Sequence, residues 1–205
     1  MKLFHAKILL WLAILFSFTV SAQASQLDEL QSLARNGAAQ LALQTMDRVQ
    51  PDLLRDKKQW VEWEKARISI YQYSNDWQAL AQRVDELPTR LPVDFMRWVQ
   101  TEQARAFIML GQGKKAVWVL QNLIWNLPED KAVTQKWLPQ WRRLVIDSYI
   151  NYQQNEDAKI AATRYYQGIK EQQVDDLLLR AHIYLVNNLP GDAQTILEPH
   201  KDDMQ

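Results

Sequence analysis

Two of the chain's five glycines, Gly111 and Gly113, stand with Ala116 in the spacing Gly-x-Gly-x-x-Ala. A turn of that spacing binds a pyrophosphate when a strand runs into it, a helix leaves it, and an acidic residue follows about 20 positions on. Glu129 and Asp130 lie near that distance, but the stretch from Glu102 to Leu110 consists of helix formers with apolar residues at three and four residue steps. The glycines therefore read as a bend between two helices. Lys114 makes no phosphate loop either, because no glycine lies five residues before Gly113 and Lys115, not Ser or Thr, follows.

The remaining reactive side chains are sparse. Of three histidines, His5 falls in the amino-terminal leader, and His182 and His200 have no metal-ligand partner at helical spacing. There is no Gly-x-Ser-x-Gly elbow, and the absence of cysteine excludes disulfides, thiolate chemistry and cysteine metal sites. Asp175 and Asp176 read as a solvated helix start, and Asp202 and Asp203 as a polar tail. Paired carboxylates act on glycosides only when a cleft sets their separation. No catalytic, cofactor-binding or metal-ligating residue is assigned, and no cofactor is expected. Eight tryptophans follow the leader, at positions 60, 63, 77, 98, 118, 125, 137 and 141. Large aromatics mostly wedge between helices, while an indole left outside is a stacking face for a peptide or a sugar.

The elements that must position these groups begin after the leader. Lys2 and Lys7 precede an apolar run from Ile8 to Val20, and Ala22-Gln23-Ala24 has the small-x-small form of a cleavage site. Residues 1–24 are thus expected to be a signal peptide cleaved after Ala24, placing the remainder in the periplasm with no stable membrane insertion. Cleavage leaves 22 basic and 24 acidic residues, a net charge of −2 that gives no electrostatic case for nucleic acid or an anionic membrane.

From Gln26 onward the apolar stripes have helical period and nowhere alternate, so the fold class is all-α. Ala66, Ile70 and Tyr73 form one stripe, the breaker Ser74-Asn75-Asp76 interrupts, and Trp77, Leu80, Val84 and Leu87 form the next. The arrangement recurs: Ala104, Phe107 and Leu110, then Gly111-Gln112-Gly113, then Ala116, Leu120, Leu123 and Pro128. It returns at Tyr149, Gln153 to Glu156 and Ala158, and again at Tyr184, Asn187 to Gly191 and Ala193. A short first copy holds Gly37 and Ala42. The residues opening each second helix, Ala42, Leu80, Ala116, Ala158 and Ala193, are spaced by 38, 36, 42 and 35. Helix-pair repeats give such spacings, and no pair buries its apolar face alone.

On these residues, and most closely on the copy from Ala104 to Pro128, the chain resembles the tetratricopeptide repeat family. The resemblance implies a right-handed α-α superhelix of about five hairpins over residues 25–199, with 200–205 a polar tail or truncation point. It further implies a concave groove lined by the first helix of each pair. The matching positions are Lys65, Gln72 and Tyr73, then Trp98, Thr101 and Arg105, then Arg143, Asp147 and Asn151, and finally His182. Such a set suits a protein or peptide partner in the cell envelope, held by a non-catalytic scaffold. The array also resembles the helical portion preceding the catalytic domain of soluble lytic murein transglycosylases, which implies peptidoglycan association. That family uses a catalytic Glu in a Glu-Ser context, and the chain contains no Glu-Ser pair, so it would be an accessory region of such an enzyme.

Overall fold

The structure is a computed structural model and describes residues 26–169 and 173–201. The proposed signal peptide and the tail from 202 lie outside the described residues. Among the described residues every regular element is helical, and none is long and apolar enough to cross a membrane. Helix α1 covers 26–33 and runs through a π-helical stretch, Ala34–Ala38, that bends at Gly37. Then follow α2 (Ala39–Val49), α3 (Lys57–Tyr73), α4 (Trp77–Asp85), α5 (Val93–Met109) and α6 (Gly113–Trp125). The chain continues through α7 (Lys131–Asn151), α8 (Asn155–Tyr166), α9 (Val174–Val186), α10 (Pro190–Leu197) and a 3-10 turn, Glu198–His200.

One local device makes the bends. Gly37, Asn75, Gly111, Gln153 and Asn188 all have positive φ, between 55° and 89°. Each lies five residues before one of the small or apolar residues that open the second helices, and those five residues are at most 3% exposed. At the last four bends the chain closes alike. The amides of Asp76, Gln112, Gln154 and Leu189 donate to the carbonyls of Tyr71, Phe107, Tyr149 and Tyr184, at 2.7–2.9 Å. The amides of Asn75, Gly111, Gln153 and Asn188 donate to the carbonyls three residues back, at 3.0–3.1 Å. This paired closure of a helix end needs a left-handed residue, which Gly supplies without penalty and Asn more readily than most. Two of the helices that open between hairpins, α3 and α7, use side chains instead. Asp56 accepts the Gln59 amide at 2.9 Å, and Asp130 accepts the amides of Ala132 and Val133 at 2.8 and 3.0 Å.

The chain divides into two compact units, one ending at Leu80 and one beginning at Ala81. In the first, Leu30, Ala34, Ala42, Met46, Trp63, Ala66 and Ile70 form the core. Beside it lies a polar knot between α2 and α3. Arg67 donates to Asp47 at 2.7 Å and to Gln50 at 2.9 Å, while Gln50 donates to Glu64 at 2.7 Å. Arg67 and Glu64 are 5% and 0% exposed, a burial that charged groups tolerate only when paired.

In the second unit successive helices pack on one another from α5 to α10, and α5 also touches α7 directly. Ala104, Ala116, Leu120, Leu123, Trp137, Trp141 and Leu144 fill its main core. Trp137 and Trp141 stack with ring centroids 5.5 Å apart, and buried Trp141 donates its indole N–H to Thr101 at 2.8 Å. A smaller cluster of Ile146, Ala158, Ala162, Leu179 and Ile183 joins α7, α8 and α9. The joints carry amide staples: Asn155 donates to the Val186 carbonyl at 2.8 Å, and Asn187 donates back to the Asn155 carbonyl at 3.0 Å.

Candidate functional site

The bend at residues 110–112 follows a helix, α5, not a strand. Gly113 is needed for packing. A Cβ built on it collides with the carbonyl oxygen of Ser148 and comes within 2.9 Å of Tyr152 Cδ1. Its amide, which a phosphate loop would present to an anion, donates to Asn151 Oδ1 at 3.1 Å.

In the second unit, Asp147 on α7 lies within electrostatic reach of residues expected on one face from α5, α7 and α9. Arg143 lies one turn earlier on α7, its Nε 3.6 Å from Asp147 Oδ1, and its Nη1 is 3.9 Å from Asp176 Oδ1 at the start of α9. Burial raises the Asp147 pKa above its usual 3.8, against the opposing pull of Arg143, Arg105 and His182. The carboxyl therefore senses basic side chains on α5, on its own helix and on α9. Arg105 and His182 are exposed, and Arg143 and Asp147 are half-buried. Arg105 carries an ion pair with Glu102 at 3.6 Å.

The other expected groove positions divide by unit and by burial. Trp98 is half-buried, its ring tilted against Phe95 at 5.9 Å. Thr101 is 1% exposed, and its hydroxyl is occupied, donating to the Arg97 carbonyl at 2.7 Å while accepting from Trp141. Asn151 spends its amide on the neighbouring bend, accepting from Gly113 and donating to the Ile108 carbonyl at 2.9 Å. In the first unit Lys65 pairs with Glu62 at 2.8 Å. Tyr73 accepts a hydrogen bond from Arg35 at 2.8 Å, and Gln72 is half-buried beside it.

Asp176 corrects an expectation. It opens α9, but as a buried residue, not a solvated one, because Tyr165 donates to its carboxylate at 2.9 Å and Tyr166 to its carbonyl at 2.8 Å. Its carboxylate also accepts the Gln173 amide at 3.2 Å in a capping box. Burial, with the Asp176 charge second, pushes the Tyr166 phenol well above its usual pKa. The consecutive tyrosines Tyr165 and Tyr166 were the signal available in the sequence.

The tryptophans separate clearly. Trp60, Trp63, Trp137 and Trp141 are buried, whereas Trp118 and Trp125 on α6 are 69% and 74% exposed. Both fall off the buried stripe of Ala116, Leu120 and Leu123, a phase that the sequence already carries. Trp118 borders two hollows of 430 and 700 Å³, and Trp125 borders a third of 380 Å³. Among the described residues no group of three or more histidines and carboxylates could hold a metal ion.

No protein family, curated protein or solved structure matches the chain. The class that the structure defines is an all-helical protein of recurrent hairpin bends.

Proposed function

We infer that the chain is an exported, non-catalytic binding module. In this reading its leader is removed after Ala24, and the second unit stacks its hairpins as a tetratricopeptide-like superhelix in the periplasm. The partner is a protein or extended peptide of the cell envelope, and it docks on the face shared by α5, α7 and α9. The observation that carries the reading is Arg143 of α7 lying 3.6 Å from Asp147 and 3.9 Å from Asp176 of α9, with exposed Arg105 of α5 and His182 of α9 within electrostatic reach of Asp147. Groups that are charged, partly exposed and held by neighbours suit side-chain recognition of an extended ligand, because little of their freedom is left to lose on binding.

Capture from envelope extracts by the protein and by its Arg105→Ala, Arg143→Ala double variant tests the assignment. Loss of capture with helicity retained is expected. Arg105→Ala alone separates binding from folding, since Arg105 is exposed and the ion pair it breaks is a loose one, 3.6 Å, with Glu102 on its own helix. Undiminished capture by the double variant rejects the face.

A further inference from the structure

Trp118 presents a large apolar ring to water beside a mixed polar and apolar surface. On one side it borders a 430 Å³ hollow lined by the end of α4, by α5 and α6 and by the segment from Thr89 to Val93. That volume lies within the range of about 300–1,000 Å³ typical of small-ligand sites. Gln100 on α5 and Asn122 on α6 line the same hollow, both half-buried. Neither side-chain amide has a hydrogen-bond partner among the described residues. Their amides are therefore open to water or to a ligand.

The charges around the hollow already have partners in the protein. Asp85 accepts the Gln103 amide at 2.7 Å, and Arg97 pairs with Asp94 at 3.2 Å. An ionic ligand would have to compete with these partners. What else is on offer is a flat indole, apolar Leu91, Met96 and Leu123, and two amides, each with donors and an acceptor side by side. Vicinal hydroxyl groups match that pattern, since each both donates and accepts. The C–H face of a pyranose ring matches the indole, which favours flat apolar contact.

An extended peptide fits less well, because it needs side-chain pockets repeated along a groove. The next exposed indole on α6, Trp125, borders a different hollow whose polar lining includes Arg142, Asp157 and Arg164. Of the two exposed indoles on α6, Trp118 is the one with unpartnered amides beside it among the described residues. We propose that the hollow beside Trp118 binds an uncharged saccharide, with one sugar ring stacked on the indole and its hydroxyls hydrogen-bonded to Gln100 and Asn122. The site is separate from the α5, α7 and α9 face and stands or falls independently of it.

The test is a titration of the full mature chain, labelled with nitrogen-15, by three neutral tetrasaccharides: β-1,4-linked N-acetylglucosamine, β-1,4-linked glucose and α-1,4-linked glucose. An uncharged tetrapeptide is titrated in parallel, all at millimolar concentration, where weak binding is still visible. The Trp118 indole signal is assigned from its loss in Trp118→Phe. At least one saccharide is expected to shift that signal together with the side-chain amides of Gln100 and Asn122. Trp118→Ala should weaken the affinity by about tenfold or more. Gln100→Ala and Asn122→Ala should each weaken it severalfold, and Trp125→Ala should leave it unchanged. Both indoles lie outside the core, and an unchanged amide spectrum elsewhere verifies the fold of each variant. The proposal is overturned if none of the saccharides moves the Trp118 signal, if Trp118→Ala binds as the parent does, or if only the tetrapeptide binds.

Discussion

Asn151 closes a bend to which it does not belong: from the end of α7 its side-chain amide donates to the Ile108 carbonyl at 2.9 Å and accepts the Gly113 amide at 3.1 Å. The contact brings the α7 backbone so close to Gly113 that a methyl group there meets the Ser148 carbonyl. Gly111, two residues earlier, has open space around its Cβ position and is held by φ 71° alone.

The two glycines should therefore respond differently. Gly113→Ala is expected to cost about 3 kcal/mol, the upper end for overpacking against structure that cannot yield. Gly111→Ala should cost about 1 kcal/mol for the left-handed conformation. Gly111→Asn should be close to neutral, because Asn75 and Asn188 occupy the same place in other bends. Urea unfolding of the three variants measures the order, and equal losses at both glycines would contradict the packing argument.

Thr101 and Trp141 form a buried pair. Thr101→Val keeps the shape and strands the indole N–H, so a loss of about 1–3 kcal/mol is expected. Adding Trp141→Phe removes the stranded donor, and the double variant should lose less than the two single losses combined. A double-mutant cycle from chemical denaturation reads the coupling, and strict additivity would count against the bond.

Arg67 holds the α2 and α3 knot. Removing it takes from buried Glu64 a cation 3.5 Å away and breaks the bonds to Asp47 and Gln50, and Arg67→Ala should cost about 3–5 kcal/mol. Replacing both, as Glu64→Leu with Arg67→Met, should recover most of that loss, because the buried charge goes with its partner. Thermal melts followed by circular dichroism give the comparison; a double variant no better than Arg67→Ala would contradict it.

Asp147 should make stability depend on pH. Its folded pKa is raised above 3.8 by burial, so protonation favours the folded state. The contribution is complete below the unfolded value and is lost as pH rises through the raised folded value. Asp147→Asn keeps the neutral form at every pH. Its stability relative to the parent should therefore increase as pH rises from about 4 to 7. Urea midpoints across that range check the sign, and the opposite trend would mean that the ion pair with Arg143 outweighs burial.

Much of the fold was legible because a helix encodes its buried side as a period. The residues opening the second helices, Ala42, Leu80, Ala116, Ala158 and Ala193, are all buried, and the breakers between stripes are the bends. What periodicity could not show is which polar residue inside a bend turns left-handed. Gln153 takes that place in a stretch with no glycine, although glutamine has no intrinsic preference for it. Side-chain placement on the proposed face was legible only in part. A helical phase puts Thr101 and Arg105 on one side of α5, but whether such a residue faces solvent depends on the neighbour across the joint. Trp141 covers Thr101, whereas Arg105 remains open. Asp176 was misread for a related reason: its tyrosine partners come from α8, and no spacing rule within α9 reveals them.

The measurement that bears most directly on the proposed role is site-specific photocrosslinking in the native envelope. The crosslinking residue is placed at exposed Met109, one turn from Arg105 on α5, and, as a control, at exposed Ile160 on α8. A discrete protein adduct is expected at position 109 and not at 160, and Arg143→Ala should diminish it. No adduct at 109, or the same products from both positions, would contradict a partner bound around Asp147.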